Sequence, residues 1–153
     1  MRTNGRHPVV VGVDGSANGQ RALHVAARQA ARTQTPLVVV HAVGLTDVVD
    51  GEHVPSHDHR AEIARQVIDW CASLEGECRE VESLVLDGPP VDVLLRAAGE
   101  VDAGLIVVGR RGTGGRPELL LGSTAHQVVE HSHCPVLVVP PVDGPVLGSD
   151  EPT

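Results

Sequence analysis

Residues 105–139 read LIVVG-RRGTGGRPELLLG-STAHQVVEH-SHCP-VLVV, and this stretch decides the fold. Leu105 to Val108 is a continuous apolar run, too short for a helix and apolar on both faces, as a buried parallel strand requires. A glycine-rich segment runs from Gly109 to Gly122, a helix follows over Ser123 to His131, and Val136 to Val139 is a further strand. Parallel neighbours need a crossover between them, and here the helix supplies it.

Working outward, the same alternation fills the rest of the chain. Val9 to Val13 is a β-branched run after Pro8 that stops at Asp14-Gly15-Ser16. From Ala17 to Arg32 the apolar positions Leu23, Ala26, Ala27 and Ala30 share one helical face, with Ser16 as the N-cap. Leu37 to Val43 is the second strand, and the polar, His-rich stretch from Gly44 to Asp58 reads as a long surface loop. Ile63, Val67, Trp70, Cys71 and Leu74 predict a helix ended by Gly76, with the sole aromatic side chain on its buried face. Val81 to Leu86 is the third strand; Pro89-Pro90 opens a helix carrying Val91, Leu94, Leu95 and Ala98, which Gly99 terminates. The order β-α-β-α-β-α-β-α-β predicts an α/β fold, a single doubly wound parallel sheet with helices on both faces. Residues 1–140 form one domain, residues 141–153 are expected to be a disordered tail, and no internal repeat interrupts the chain.

Composition narrows the function. A formal net charge of -8 and a single aromatic ring oppose nucleic-acid binding, through repulsion of phosphates and want of a stacking platform. No apolar stretch approaches the ~20 residues needed to span a bilayer, and no leader pattern opens the chain, so the expected location is the cytoplasm, with no membrane partner. Cys71, Cys78 and Cys134 show no C-x-x-C spacing and are read as reduced thiols. The sequence contains no Lys, which removes any Walker-type phosphate lysine. The G-x-S-x-G elbow and the H-E-x-x-H helix are absent too, and no catalytic residue is assigned.

Ligands of open α/β sheets bind at the carboxyl ends of the strands, where the strand order reverses. At the first strand's end Asp14 either accepts hydrogen bonds from a ligand's hydroxyl or amine groups or serves the turn into the helix. Gly109-Arg110-Arg111-Gly112, followed after nine residues by Gly122-Ser123-Thr124, leaves a strand and returns at a helix start. Glycines let the backbone approach a phosphate, and the helix start offers N–H donors and a positive dipole end. Arg110, Arg111 and Arg116 either offset phosphate charge or face solvent. His53, His57 and His59, among Asp50, Glu52 and Asp58, either gather a transition metal or form a solvated acidic loop.

Gly109, Gly112, Gly122 and Ser123 fit the pattern G-x-x-G-x(9)-G-[S/T], by which the chain resembles the nucleotide-binding branch of the universal stress protein family. The resemblance extends to Val9–Ser16, to Leu119–Ser123 and to the closing Cys134-Pro135-Val136-Leu137-Val138-Val139. It implies a five-stranded sheet in the order 3-2-1-4-5 and a regulatory, ATP-binding protein of stress response. It also implies that Asp14 holds the ribose or adenine, that the Val40-His41 backbone meets the adenine edge, and that Gly109, Gly112, Gly122, Ser123 and Thr124 cradle phosphates. Arg110 is not fixed by the motif and stands as a nearby cation for that phosphate site. A homodimer through the edge strand Val136 to Val139 is implied as well. Glu118, inside the spacer, would call for a divalent cation such as Mg2+ beside a triphosphate, with no ligands assigned. An ATPase of slow turnover and a ligand-free interaction module on the same fold stand as the alternatives.

Overall fold

Successive side chains of a strand point to opposite faces, so an unbroken valine run must be covered twice. The computed structural model, which describes residues 5–44, 46–55, 59–74, 76–111 and 121–141, covers it twice. In chain order the elements are β1 (Val9–Gly12), α1 (Ala17–Thr33), β2 (Leu37–Val43), β3 (Thr46–Val49) and β4 (Glu52–Pro55). They continue with α2 (Arg60–Ala72), β5 (Val81–Asp87), α3 (Pro90–Glu100), β6 (Leu105–Gly109), α4 (Ser123–His131) and β7 (Val136–Val139). Five strands form one parallel sheet in the order β5-β2-β1-β6-β7. Counted within that sheet alone, the order is the 3-2-1-4-5 that the family resemblance implies.

Val9, Val11, Leu37, Val39 and Val107 point to one face, where Ala22, Leu23, Ala26, Ala27 and Ala30 of α1, Val67 of α2 and Leu74 in the turn after it cover them. Val10, Val38, Val40, Ile106 and Val108 point to the other, under Val93, Leu94 and Ala97 of α3 and Ala125 and Val128 of α4. An alanine stripe lets α1 lie close on the sheet, which suits a core built without Phe or Tyr. At about 25 cal/mol per Å² of apolar surface, each such aliphatic side chain stabilises the fold by roughly 1.5–3 kcal/mol when fully buried. Asn18 is the buried polar residue among those described.

Three expectations need correction. Gly44 to Asp58 is not a plain loop: β3 and β4 pair antiparallel as a hairpin, with Val49 opposite Glu52. Asp50 and Gly51 between them have φ of 52° and 85°, the two positive values that a type I′ turn requires. Gly99 does not end α3, which runs to Glu100 and is closed by Val101, with Asp102 at φ 53° taking the left-handed position. Gly76 lies beyond the end of α2, in the turn that follows its last helical residue Ala72. Residues 142–153, most of the expected tail, lie outside the described residues. Among the described residues no helix is long and apolar enough to cross a membrane, and all three cysteines are free thiols.

Candidate functional site

The strand order reverses between β1 and β6, and the crevice at their carboxyl ends brings together most of the residues singled out above. The turn after β1 is organised by Asp14. Its Oδ1 accepts from the Ser16 hydroxyl at 2.6 Å and from the Ser16 N–H at 3.0 Å, while the same hydroxyl oxygen accepts from Gly19 N–H at 3.0 Å and caps α1. Asp14 thus serves the turn, yet it stays exposed at the strand end. Gly19 makes that arrangement fit, since a Cβ there would lie 2.7 Å from Asp14 Oδ1.

Strand parity decides which peptide groups face the crevice. The Val40 carbonyl accepts from Val13 N–H at 3.0 Å, so it is taken up by the ladder between β1 and β2. Peptides of a parallel strand alternate sides. His41 therefore turns its backbone to β5, where it lies opposite Val85, and Ala42 turns its peptide to the β1 side, past the last paired β1 residue, Gly12. The open peptide edge belongs to Ala42, a residue the sequence pattern did not single out. What His41 brings to this place is its ring: Nδ1 donates to the Val13 carbonyl at 2.8 Å.

The glycine-rich segment has a built root. Arg110 N–H donates to the Val139 carbonyl at 2.8 Å, and Gly122 N–H donates to the Arg110 carbonyl at 2.7 Å, so the segment leaves and returns at one point. Asn18, on the first turn of α1, locks that point: its Nδ2 donates to Val139 O at 2.9 Å and its Oδ1 accepts from Arg111 N–H at 2.9 Å. Gly109 suits the close approach, because a Cβ would sit 3.1 Å from the Asn18 amide and press on it. Gly122 is the N-cap of α4 and supplies no side-chain cap, so the positive dipole end of the helix, with Ser123 and Thr124 in its first turn, lies at the carboxyl side of the sheet. The guanidinium of Arg110 is half-buried, and its Nε has no hydrogen-bond partner among the described residues.

Asp14, Val40, His41, Gly109, Arg110, Gly122, Ser123 and Thr124 thus gather at the ends of β1, β2 and β6 and the start of α4. Gly112 lies outside the described residues, as do Arg116, Pro117 and Glu118. Asn18 escaped the sequence reading, where it looks like any polar residue at a helix start. Trp70, expected simply in the core, is half-buried: its indole meets the His41 ring edge-on, with centroids 5.5 Å apart, and its benzo edge abuts Gly15.

His53 is exposed on β4 and His59 lies 3.5 Å from Glu62, whereas His57 and Asp58 lie outside the described residues. Among the described residues no three His, Cys, Asp or Glu side chains are grouped to hold a metal ion. His126 sits on the exposed face of α4, 3.7 Å from Glu130. Burial raises the Cys71 thiol above its ordinary pKa, helped by the neighbouring Cys78, and burial with Glu77 does the same to Cys78. Both groups are therefore protonated and weakly nucleophilic at neutral pH.

The model of the universal stress protein family matches residues 5–140. Universal stress protein YxiE of Bacillus subtilis (strain 168) is 33% identical over 143 residues, covering 86% of this chain and 97% of that protein. Among solved structures, a universal stress protein in complex with cAMP superposes with a TM-score of 0.67 at 30% identity, covering 89% of this chain and 98% of that one. The universal stress protein from Archaeoglobus fulgidus in complex with dAMP gives 0.65 at 28% identity, over 87% of this chain and 97% of that one.

Proposed function

Because the chain belongs to the universal stress protein family, we propose that it is a stress-response regulator that binds an adenine nucleotide, ATP, in the crevice at the ends of β1, β2 and β6. The observation that carries this reading is the pinned root of the glycine-rich segment beside the α4 start, which has no side-chain cap, next to the strand end that carries the exposed Asp14. Gly109, Gly112, Gly122, Ser123, Thr124 and Arg110 would hold the phosphates, Asp14 the ribose, and the Ala42 peptide the base edge. The donors fit the anion: backbone N–H groups, two hydroxyls and a guanidinium, with no lysine needed. Binding of cAMP and dAMP by two structural neighbours supports an adenine nucleotide as the ligand class. Mg2+ would accompany the triphosphate, and a cytoplasmic location suits such a ligand.

Titrating nucleotide-free protein with ATP and Mg2+ by calorimetry tests the reading. The expected result is saturable binding that a Gly122→Val, Ser123→Ala double variant loses by at least about tenfold, roughly the loss of one good charge-assisted hydrogen bond. Absence of heat with the native protein would leave the interaction module. Steady phosphate release above background, with binding, would favour the slow ATPase.

A homodimer through β7 belongs to the same proposal. The Pro135 carbonyl accepts from Ile106 of β6 and the Val139 carbonyl from Arg110 just after it, so the Val136 and Val138 peptides face away from the sheet along an unpaired edge. Light scattering at micromolar concentration should give twice the 16.0 kDa chain mass. Val138→Lys should give the monomer, but its side chain packs into the second core, so Val138→Pro, which removes an outward N–H and no ladder bond, is the cleaner variant. A monomeric native protein would refute the dimer.

A further inference from the structure

The ring of His41 is in a single tautomer. A carbonyl oxygen can only accept, so the 2.8 Å contact between Nδ1 and Val13 O places the ring proton on Nδ1. In the neutral imidazole Nε2 is then a pure acceptor, and among the described residues it has no hydrogen-bond partner. The ring is half-buried at the carboxyl end of β2 and held edge-on by Trp70 at 5.5 Å, with the interplanar angle at 76°. Trp70 in turn is held against the backbone after Asp14: a Cβ on Gly15 would lie 3.1 Å and 3.3 Å from its Cζ2 and Cη2. The imidazole with its oriented acceptor and the indole therefore lie beside the turn that carries Asp14, the residue placed above on the ribose.

We propose that His41 and Trp70 form a base-selecting wall of the nucleotide site, in which His41 Nε2 accepts from the 6-amino group of the purine and the indole bounds the ring. The proposal rests on the nucleotide reading and adds to it the side chains that choose the base. An acceptor at this point selects a 6-aminopurine over a 6-oxopurine, whose own oxygen acceptor would face the Nε2 lone pair. Trp70 positions the imidazole, and its indole is the sole aromatic side chain of the protein, so its emission reports the site without labelling.

The test compares ATP with inosine triphosphate, which carries oxygen in place of the amine, on the full chain and on His41→Asn. The Asn amide can still donate to Val13 O, while nothing replaces Nε2. Native protein is expected to prefer ATP by about tenfold or more, and His41→Asn to bring the two nucleotides within about threefold, the range set by one buried hydrogen bond. Trp70 emission of the native protein should shift or quench saturably with ATP, a readout that needs no variant to fold. ATP binding that leaves Trp70 emission unchanged, or an ATP preference kept in a folded His41→Asn, would overturn this proposal and leave the nucleotide site standing. No ATP binding at all by native protein would overturn both.

Discussion

Asn18→Ala is expected to lower the unfolding free energy by about 3 kcal/mol, the cost of leaving a buried donor and a buried acceptor short of their partner. Asn18 is only 7% exposed and bonds two backbone groups 2.9 Å away on separate segments, Val139 O and Arg111 N–H. Val139 O keeps a second donor in Arg110 N–H, so the larger share of the loss falls on Arg111 N–H and on the space the amide vacates. For a domain of this size the melting temperature should fall by roughly 10 °C, read by thermal unfolding at constant protein concentration. Asn18→Asp should destabilise as well, since it keeps an acceptor for Arg111 N–H but sets a buried carboxylate oxygen against the Val139 carbonyl oxygen. A fall of under about 2 °C would mean that water replaces the amide and that the root of the glycine-rich segment is held by its backbone bonds alone.

Gly15→Ala is expected to cost about 2–3 kcal/mol, measured by denaturant unfolding. Gly15 sits at φ +84°, a left-handed conformation that penalises a side chain by roughly 1–2 kcal/mol. The added Cβ would also press on two atoms of the Trp70 ring at 3.1 Å and 3.3 Å. Since Trp70 leans on His41, the variant should also change Trp70 emission before any ligand is added. A cost under about 1 kcal/mol with unchanged emission would show that the indole swings aside freely and fixes nothing.

Much of this architecture was legible because the core elements obey simple periods. Val9, Val10 and Val11 are apolar on consecutive positions, which makes sense only for a strand covered on both faces, and the alanine stripe of α1 marks a helix lying flat on a sheet. Where the expectation failed, a local signal was outweighed. The polar composition of residues 44–58 hid a hairpin whose Asp50-Gly51 turn is written in the sequence. Gly99 reads as a stop, but its place on the exposed side of α3 tolerates glycine, and Asp102 adopts the left-handed residue's role instead.

The site divides in the same way. Glycines at 109 and 122 and the hydroxyls at 123 and 124 carry their meaning in spacing, so the sequence exposes them. Asn18, Ala42 and the Trp70–His41 pair carry theirs in geometry. Asn18 matters because three segments converge on its amide, Ala42 because β1 stops short of it, and Trp70 because α2 delivers it to the turn after β1. No one-dimensional pattern encodes a convergence of segments remote in sequence.

The hydrogen bond from Gly122 N–H to the Arg110 carbonyl has a consequence for how such proteins diversify. With Gly122 bonded to Arg110, and Arg110 to Val139, the scaffold itself meets the closure entropy of any segment joined at these two residues. Doubling the length of such an excursion costs only about 0.6 kcal/mol. Lineages sharing this frame could trade cassettes of different length and chemistry while the sheet beneath stays as it was, and an engineer could graft a new recognition segment at the same two residues.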